Sequence, residues 1–310
     1  MIFLLVPLLA AAVVLLVSYL VFRMGFYAPR KAAVSEEPDL PDGEVYEVFW
    51  DSMRKWIQQT RATPHEAVSV TSFDGLTLRG KYYEYAPDAP IELMFHGYRG
   101  SAERDLCGGM QRCFRLGHSA LIVDQRCSGG SEGNVITFGI REHKDCLEWV
   151  KFAVERFGPQ TQLILTGISM GAATVLMAGG EELPRNVAGI LADCGYTSPK
   201  EIICDVIRKM GLPPRLVYPF VKMGARIYGG FDLEENTPVE AVKRCKVPVI
   251  FFHGLEDDYV PWEMSRDNYE ACAAPKKLVT VPGAGHGLSY PVAPEEYIAQ
   301  ARAFFHPEHS

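Results

Sequence analysis

The stretch that decides the fold is Gln162-Leu-Ile-Leu-Thr-Gly-Ile-Ser-Met-Gly-Ala-Ala-Thr-Val-Leu-Met-Ala178. Its first five residues are mostly apolar and bounded by turn signals, which predicts a strand, and its last seven are rich in helix formers. Between them, Gly167, Ser169 and Gly171 form the pattern G-x-S-x-G. A strand, this pattern and a helix are the context of a nucleophile elbow, in which a serine hydroxyl projects from a tight turn. The stretch therefore predicts Ser169 as a nucleophile.

The glycines and the helix of this stretch have physical reasons. A side chain on either flank of the serine would collide with the neighbouring strand or helix, so glycine is required there. The helix begins directly behind Ser169, and its N-terminal N–H groups and dipole favour negative charge at that point.

A serine nucleophile needs a general base, and the base needs an acid that orients it. After Ser169, the run 247–253 reads as a strand that ends in a turn, and three carboxylates follow it: Glu256, Asp257 and Asp258. An acid just past the carboxyl end of a strand is well placed to orient a histidine. On position alone, the three compete.

The candidate base is His286. It follows the predicted strand 277–281 and stands among glycines in Pro-Gly-Ala-Gly-His-Gly, so its loop is free to reach over the sheet edge. An unperturbed histidine titrates near neutral pH, which suits a group that takes a proton and returns it. No pair of histidines has the spacing of a metal site such as H-E-x-x-H, and we expect neither a metal nor a cofactor.

Acyl transfer also needs donors aimed at the developing oxyanion. The backbone N–H after the nucleophile, that of Met170, is one candidate. The second is the backbone N–H of Tyr98, in the loop His-Gly-Tyr-Arg-Gly at 96–100 that follows the predicted strand 91–95. Gly97 allows the backbone to turn so that this N–H points into the site.

Taken together, these runs resemble the α/β-hydrolase superfamily, in the branch that includes serine-aminopeptidase-like, cephalosporin-deacetylase-like and membrane-anchored esterase-like proteins. The resemblance covers about residues 67–305, and its acid-bearing loop, His-Gly-x-x-Asp-x-x-Val-Pro, places the triad acid on Asp257. It implies a mostly parallel twisted sheet with helices on both faces. One departure is that Cys127 and Ser128 replace a Gly-His pair usual in this branch, which weakens any inference about substrate.

The N-terminus is apolar from residue 2 to residue 22. At about 1.5 Å per residue this segment spans roughly 30 Å, the thickness of a bilayer core. Arg23, Arg30 and Lys31 follow it and no basic residue precedes it, so we predict a single-pass anchor with the catalytic domain facing the cytoplasm. Eight cysteines without a closely spaced framework agree with a reducing compartment.

The rest of the chain divides simply. We predict a transmembrane anchor over 1–23, an acidic, proline-rich linker over 24–43 and an α/β-hydrolase catalytic domain over 44–310, which begins with an amphipathic helix. Within the domain, an insertion at 196–243 carries two apolar helical pieces. The apolar side chains of these pieces either pack as an ordinary helix face or form a small lid that lines an apolar acyl pocket, and both can hold for different faces of one helix. The amphipathic helix packs on the domain or, alternatively, lies on the membrane.

The function predicted is that of a serine hydrolase that cleaves carboxylic esters of apolar or lipid-derived acyl groups. A peptidase or amidase and a thioesterase are alternatives within the same chemistry. A catalytically idle binding module is the alternative of another class. The net charge of −7 and the lack of a basic cluster argue against nucleic-acid binding.

Overall fold

The computed structural model describes residues 2–29 and 37–306, and these form an eight-stranded open sheet in the order β1-β2-β4-β3-β5-β6-β7-β8. β1 and β2 are antiparallel, β2 is antiparallel to β4, and every other neighbouring pair is parallel. The strands are β1 (Glu66–Thr71), β2 (Thr77–Tyr83), β3 (Ile91–Phe95), β4 (Ser119–Asp124), β5 (Leu163–Ile168), β6 (Val187–Asp193), β7 (Val249–Gly254) and β8 (Lys276–Val281). This confirms the predicted α/β-hydrolase fold.

The helices follow the strands in alternation, as the sequence predicts. A π-helical turn, Ala225–Gly229, follows α9. The helices are α1 (Ile2–Gly25), α2 (Glu44–Glu47), α3 (Trp50–Ala62), α4 (Ala102–Asp105), α5 (Cys107–Leu116), α6 (Glu142–Phe157), α7 (Met170–Gly179), α8 (Pro199–Lys209), α9 (Pro214–Gly224), α10 (Pro238–Ala241), α11 (Trp262–Ala271), α12 (Ser289–Val292) and α13 (Pro294–Phe305). Residues 30–36 of the predicted linker lie outside the described residues.

The core lies on both faces of the sheet. Leu93 and Phe95 of β3 face a cluster that includes α6 and α7, whereas Met94 faces a second cluster built with α5. Alternate residues of a strand point to opposite faces, and a parallel strand covered on both sides is apolar throughout. The apolar runs in the sequence therefore become the central strands, whose carboxyl ends meet along one edge.

Helix α1 packs against the predicted insertion. Its buried residues Ser18 and Phe22, and Phe26 directly after its end, recur every four positions and contact the region of α9 and the π-helical turn. A Cβ on Gly224 of α9 would lie 2.5 Å from the Ser18 carbonyl oxygen, so the two backbones approach closely. The described part of α1 is thus attached to the domain, and the Ile136 N–H also donates to Phe26 O at 2.8 Å.

By length and composition, α1 is also a candidate membrane span. Val6–Gly25 has a mean hydropathy of 2.2, and among the described residues it is the one helix that meets both criteria. A signal sequence near an N-terminus meets the same criteria, so the helix alone does not distinguish the two.

Candidate active site

Ser169 stands on the sharp turn between β5 and α7 with φ 56° and ψ −117°, a backbone conformation that is strained for a residue with a side chain. A Cβ on Gly167 would lie 2.1 Å from Gly171 O, and a Cβ on Gly171 would lie 2.1 Å from Phe95 O. Both glycines of the predicted elbow are therefore required by close backbone contacts, and the turn holds the serine at the carboxyl edge of the sheet.

The structure brings together the three residues predicted as a triad. His286 Nε2 lies 2.9 Å from Ser169 Oγ, and His286 Nδ1 lies 2.7 Å from Asp257 Oδ2. The other carboxylate oxygen, Oδ1, accepts the backbone N–H groups of Tyr259 at 2.9 Å and Val260 at 2.8 Å. An ionised carboxylate is an acceptor only, so Nδ1 carries the proton and Nε2 accepts from the serine hydroxyl.

The two competing carboxylates lie elsewhere. Glu256 and Asp258 are exposed, whereas Asp257 is buried. The side chain of Lys209, at the end of α8, donates to the backbone carbonyls of Asp258 and Tyr259, so this loop is also held from outside. Of the three carboxylates, Asp257 is the one whose side chain contacts His286.

The electrostatics suit a carboxylate beside an imidazole. Burial opposes the ionisation of Asp257, but hydrogen bonds from His253 and His286 outweigh it and hold the pKa of this carboxyl well below its usual value. Burial lowers the pKa of His286, whereas Cys194 and Asp257 raise it, and the resulting pKa lies well above that of an ordinary histidine. Burial raises the pKa of the Cys194 thiol to about 11, so near neutral pH the negative charge facing His286 is that of Asp257.

The two predicted oxyanion donors lie near the serine in different ways: Met170 follows it directly in the chain, and Tyr98 follows Gly97, on which a Cβ would lie 3.8 Å from Ser169 Oγ. Within the described residues, the backbone N–H groups of Tyr98 and Met170 have no protein acceptor. The loop that carries Tyr98 is held in place because Asp105 Oδ2 accepts the Gly97 N–H at 2.9 Å and the Ser128 hydroxyl donates to Gly100 O. The residue that departs from the usual pattern of the branch, Ser128, thus helps to fix this loop.

The same loop contacts the end of α1. The Tyr98 hydroxyl donates to Gly25 O at 2.7 Å. Arg99 Nη2 donates to Met24 O at 2.7 Å and to Tyr27 O at 3.1 Å. The last carbonyls of a helix lack intrahelical donors, and here the candidate oxyanion loop supplies them.

A cavity of about 450 Å³ opens beside Ser169 and His286. Its lining comes from the N-terminal segment, from the region of α5, from the carboxyl ends of β5 and β6, from the loop after β7, and from α12 and α13. It includes Pro41, Tyr46, Met53, Trp56, Leu106, Cys107, Arg112, Ile168, Asp193, Tyr259, Tyr290 and Tyr297.

The predicted lid does not line this cavity. None of the lining residues lies in the insertion 196–243, and its helix α9 packs on α1 instead. The expectation that the insertion lines an acyl pocket is wrong. Some of the apolar side chains on which it was based pack against the apolar helix α1. The cavity is lined instead by Met53 and Trp56 of the amphipathic helix predicted near residues 44–61, and this helix packs on the domain through Met53 and Ile57.

More than half of the chain, residues 137–308, matches the prolyl oligopeptidase family, Peptidase_S9. The chain belongs to the prolyl oligopeptidase family. The match places the protein among hydrolases of the serine type.

The chain is also similar to individual proteins, in sequence or in structure. The uncharacterised protein YqkD of Bacillus subtilis is 27% identical over 227 residues, which cover 72% of this chain and 73% of YqkD. The Pyrococcus furiosus esterase Pf2001 superposes with a TM-score of 0.66 at 21% identity and covers 88% of this chain and 98% of its own. Acylaminoacyl peptidase of Pyrococcus horikoshii superposes with a TM-score of 0.57 at 19% identity, covering 80% of this chain and 42% of its own.

Two contacts of this family member escape sequence reasoning. His253 Nε2, at the end of β7, lies 3.2 Å from Asp257 Oδ2, so this histidine also supports the acid. The Tyr46 hydroxyl donates to the backbone carbonyl of His286 at 2.9 Å. The position of His253 in the His-Gly-x-x-Asp run is a signal for the first contact, whereas nothing in the sequence connects Tyr46 with a residue 240 positions away.

One cluster at the site has the composition of a metal site. Candidate ligand atoms of Cys194, Asp257 and His286 lie within 4.8 Å of one another. An ion bound there would occupy the nitrogen or the carboxylate that the serine relay needs. The arrangement therefore fits hydrogen bonding between Asp257 and His286 better than it fits metal binding.

Proposed function

We propose that this protein is a membrane-anchored serine esterase that hydrolyses carboxylic esters with apolar acyl groups. The single observation that carries the proposal is the unbroken hydrogen-bonded chain from Asp257 through His286 to Ser169, which ends beside a mostly apolar cavity. Nucleophile, base and orienting acid within hydrogen-bond reach are the signature of acyl transfer through a covalent intermediate.

In the first half-reaction, Ser169 Oγ attacks the ester carbonyl carbon while its proton passes to His286 Nε2. The Tyr98 and Met170 N–H groups stabilise the resulting oxyanion. Asp257 remains ionised, since its pKa is held low, and stabilises the imidazolium through Nδ1. Collapse of the intermediate breaks the bond to the alcohol, which leaves with the proton that His286 returns.

In the second half-reaction, water replaces the alcohol. His286 takes a proton from the water as it attacks the acyl carbon, and a second oxyanion forms in the same position. Its collapse releases the carboxylic acid and restores the Ser169 hydroxyl with the proton held by His286. No other group is required.

The cavity supports an apolar acyl group. Met53, Trp56, Leu106 and Ile168 are among the side chains that line it, and pockets of this kind hold apolar ligands with a few polar groups that fix orientation. The segment that carries Met53 and Trp56 covers the serine, so we assign acyl-chain selection to this N-terminal cover.

A peptidase is the second candidate, and the family match favours it. A site for a free amine would need an available carboxylate. Asp105 accepts the Gly97 N–H and pairs with Arg104, and Asp193 accepts hydroxyl groups from α12 and α13. Of the acidic residues that line the cavity, this leaves Asp42, which is exposed, as the one carboxylate available to bind an amine. We therefore place amide cleavage second.

Membrane anchorage is part of the proposal. Its support is the length and hydropathy of Val6–Gly25 and the basic residue Arg23 at its end, which favours a cytoplasmic catalytic domain.

A panel of substrates tests the reaction class. The full-length protein is assayed with p-nitrophenyl esters from acetate to palmitate and with aminoacyl-p-nitroanilides under the same conditions. The proposal predicts ester turnover with a preference for acyl chains longer than acetate. Faster turnover of the anilides would replace it with the peptidase, and no turnover of either by the folded protein would contradict both.

A further inference from the structure

Helix α9 carries a row of apolar side chains on the face that points away from the domain. Its inner face buries Tyr218 and Val221. The outer stripe of α9 runs along its opposite face, from just before the helix into the π-helical turn, at spacings of three or four residues. Its members are Leu212, Leu216, Pro219, Phe220, Met223 and Ile227. A helix on a water-facing surface normally carries polar residues on that side.

Exposure in this stripe is large. Leu216 is 68% exposed and Ile227 is 54% exposed, and Met210 at the corner between α8 and α9 is 54% exposed. Arg215 is exposed beside Leu216, and long basic side chains suit the level of lipid headgroups. A contiguous exposed apolar surface of this kind marks an interaction site.

Helix α1 has the same property on its own outer side. While Ser18 and Phe22 are buried against the domain, Leu16 and Leu20 are each 56% exposed and Met24 is 60% exposed. The exposed apolar side chains continue to the last turn of the helix. These exposed apolar side chains need an apolar environment, and they lie along the same part of α1 that contacts the insertion.

The contacts between the two helices lie deep along the apolar segment. Gly224 approaches Ser18, and the Tyr228 hydroxyl donates to Leu15 O at 3.1 Å. Ser18 precedes Gly25 by seven residues, or about 10 Å, and Leu15 precedes it by ten residues, or about 15 Å. A bilayer core is roughly 30 Å thick, so a membrane that surrounds Val6–Gly25 also reaches these contacts.

We propose that the outer stripe of α9 and the adjoining corner at Met210 are embedded in the lipid bilayer beside α1. The occupant of this surface is a lipid bilayer, and the proposal rests on the membrane anchorage proposed above. It follows that the catalytic domain lies directly on the membrane. Lys209, next to the corner, holds the loop of Tyr259, which lines the cavity, so apolar esters dissolved in the bilayer lie close to the active site.

Tryptophan scanning in brominated lipid tests this surface. Three variants of the full-length protein, Leu216→Trp, Leu16→Trp and Tyr85→Trp, are reconstituted into vesicles of phosphatidylcholine and phosphatidylglycerol, with and without bromine in the upper part of the acyl chains. Tyr85 is 50% exposed and lies just after β2, at the opposite edge of the sheet from Ser169. The emission of each variant is compared with that of the unmodified protein.

The proposal predicts that bromine quenches the added tryptophan at position 216 to the same degree as that at position 16, and leaves the one at 85 unaffected. Quenching at 16 without quenching at 216 would overturn the embedded stripe while leaving the anchor intact, and would point to a second copy of the chain as its cover. Absence of quenching at 16 would overturn the anchor itself, and with it this inference.

Discussion

Replacement of Asp257 by asparagine tests the assignment of the acid, and the structure predicts how the change acts. Asp257 Oδ1 accepts two backbone N–H groups, from Tyr259 and Val260, and an amide NH₂ in that position would face two donors. The amide oxygen of the substituted side chain therefore stays there, and its NH₂ takes the place of Oδ2 opposite His286 Nδ1. Because that NH₂ can only donate, Nδ1 must become the acceptor.

The consequence is a change of tautomer. With Nδ1 as acceptor, the proton moves to Nε2, which then cannot accept the proton of Ser169. The wrong tautomer in a serine–histidine–acid relay lowers kcat by about 10⁴-fold, which corresponds to about 5 kcal/mol of transition-state stabilisation. KM is expected to change little, because Asp257 does not line the cavity.

The assay is steady-state hydrolysis of a p-nitrophenyl ester by the full-length Asp257→Asn protein, with circular dichroism to verify folding. Asp258→Asn is the matched control, since its exposed side chain takes no part in the relay, and it should retain wild-type kcat. A folded Asp257→Asn protein that keeps kcat close to that of the wild type would show that Asp257 does not orient His286, and so would loss of activity in Asp258→Asn alone.

Three further predictions concern the base, the cavity and the oxyanion loop. A protonated imidazole cannot accept the serine proton, so kcat/KM should fall at low pH as His286 becomes protonated. Because the pKa of His286 is raised, the midpoint of this acidic limb should lie above the pH at which an ordinary histidine titrates. A limb at or below the ordinary histidine range would contradict the raised pKa of His286. Met53→Trp should shift the ratio of kcat/KM for short-chain over long-chain esters roughly tenfold toward the short chains, whereas Phe220→Trp in the insertion should leave this ratio unchanged. Equal chain-length profiles for the two variants would count against acyl-chain selection by the N-terminal cover. Tyr98→Phe removes a hydrogen bond to the last turn of α1 and should lower kcat about fivefold, which corresponds to ~1 kcal/mol, while KM stays unchanged. A variant with the kcat of the wild type would show that α1 does not position the loop of Tyr98.

The fold could be predicted from sequence because its signals are local. The central strands are buried on both faces, so each appears as an apolar run, and the elbow at Ser169 has a steric pattern that few other turns require. The order of serine, acid and histidine along the chain then indicates which strand ends carry Asp257 and His286. The assignment of their roles stays a prediction.

What the sequence could not give depends on contacts between distant segments. Helix α1 and helix α9 are both apolar on more than one side, and the pattern does not tell whether such a side faces lipid, a pocket or another helix. The pattern of the insertion therefore favours a pocket lining, whereas in the structure Gly224 lies against Ser18. Likewise, the amphipathic pattern near Tyr46 and Met53 indicates a buried face but not that this face covers the active site.

Covalent labelling shows whether Ser169 is a nucleophile that His286 activates. The full-length protein and its Ser169→Ala variant are treated with a fluorophosphonate, and the labelled peptide is identified by mass spectrometry. We expect an adduct on Ser169 in the wild type and none in the variant. A folded wild-type protein that is not labelled, or an adduct that persists in Ser169→Ala, would contradict it.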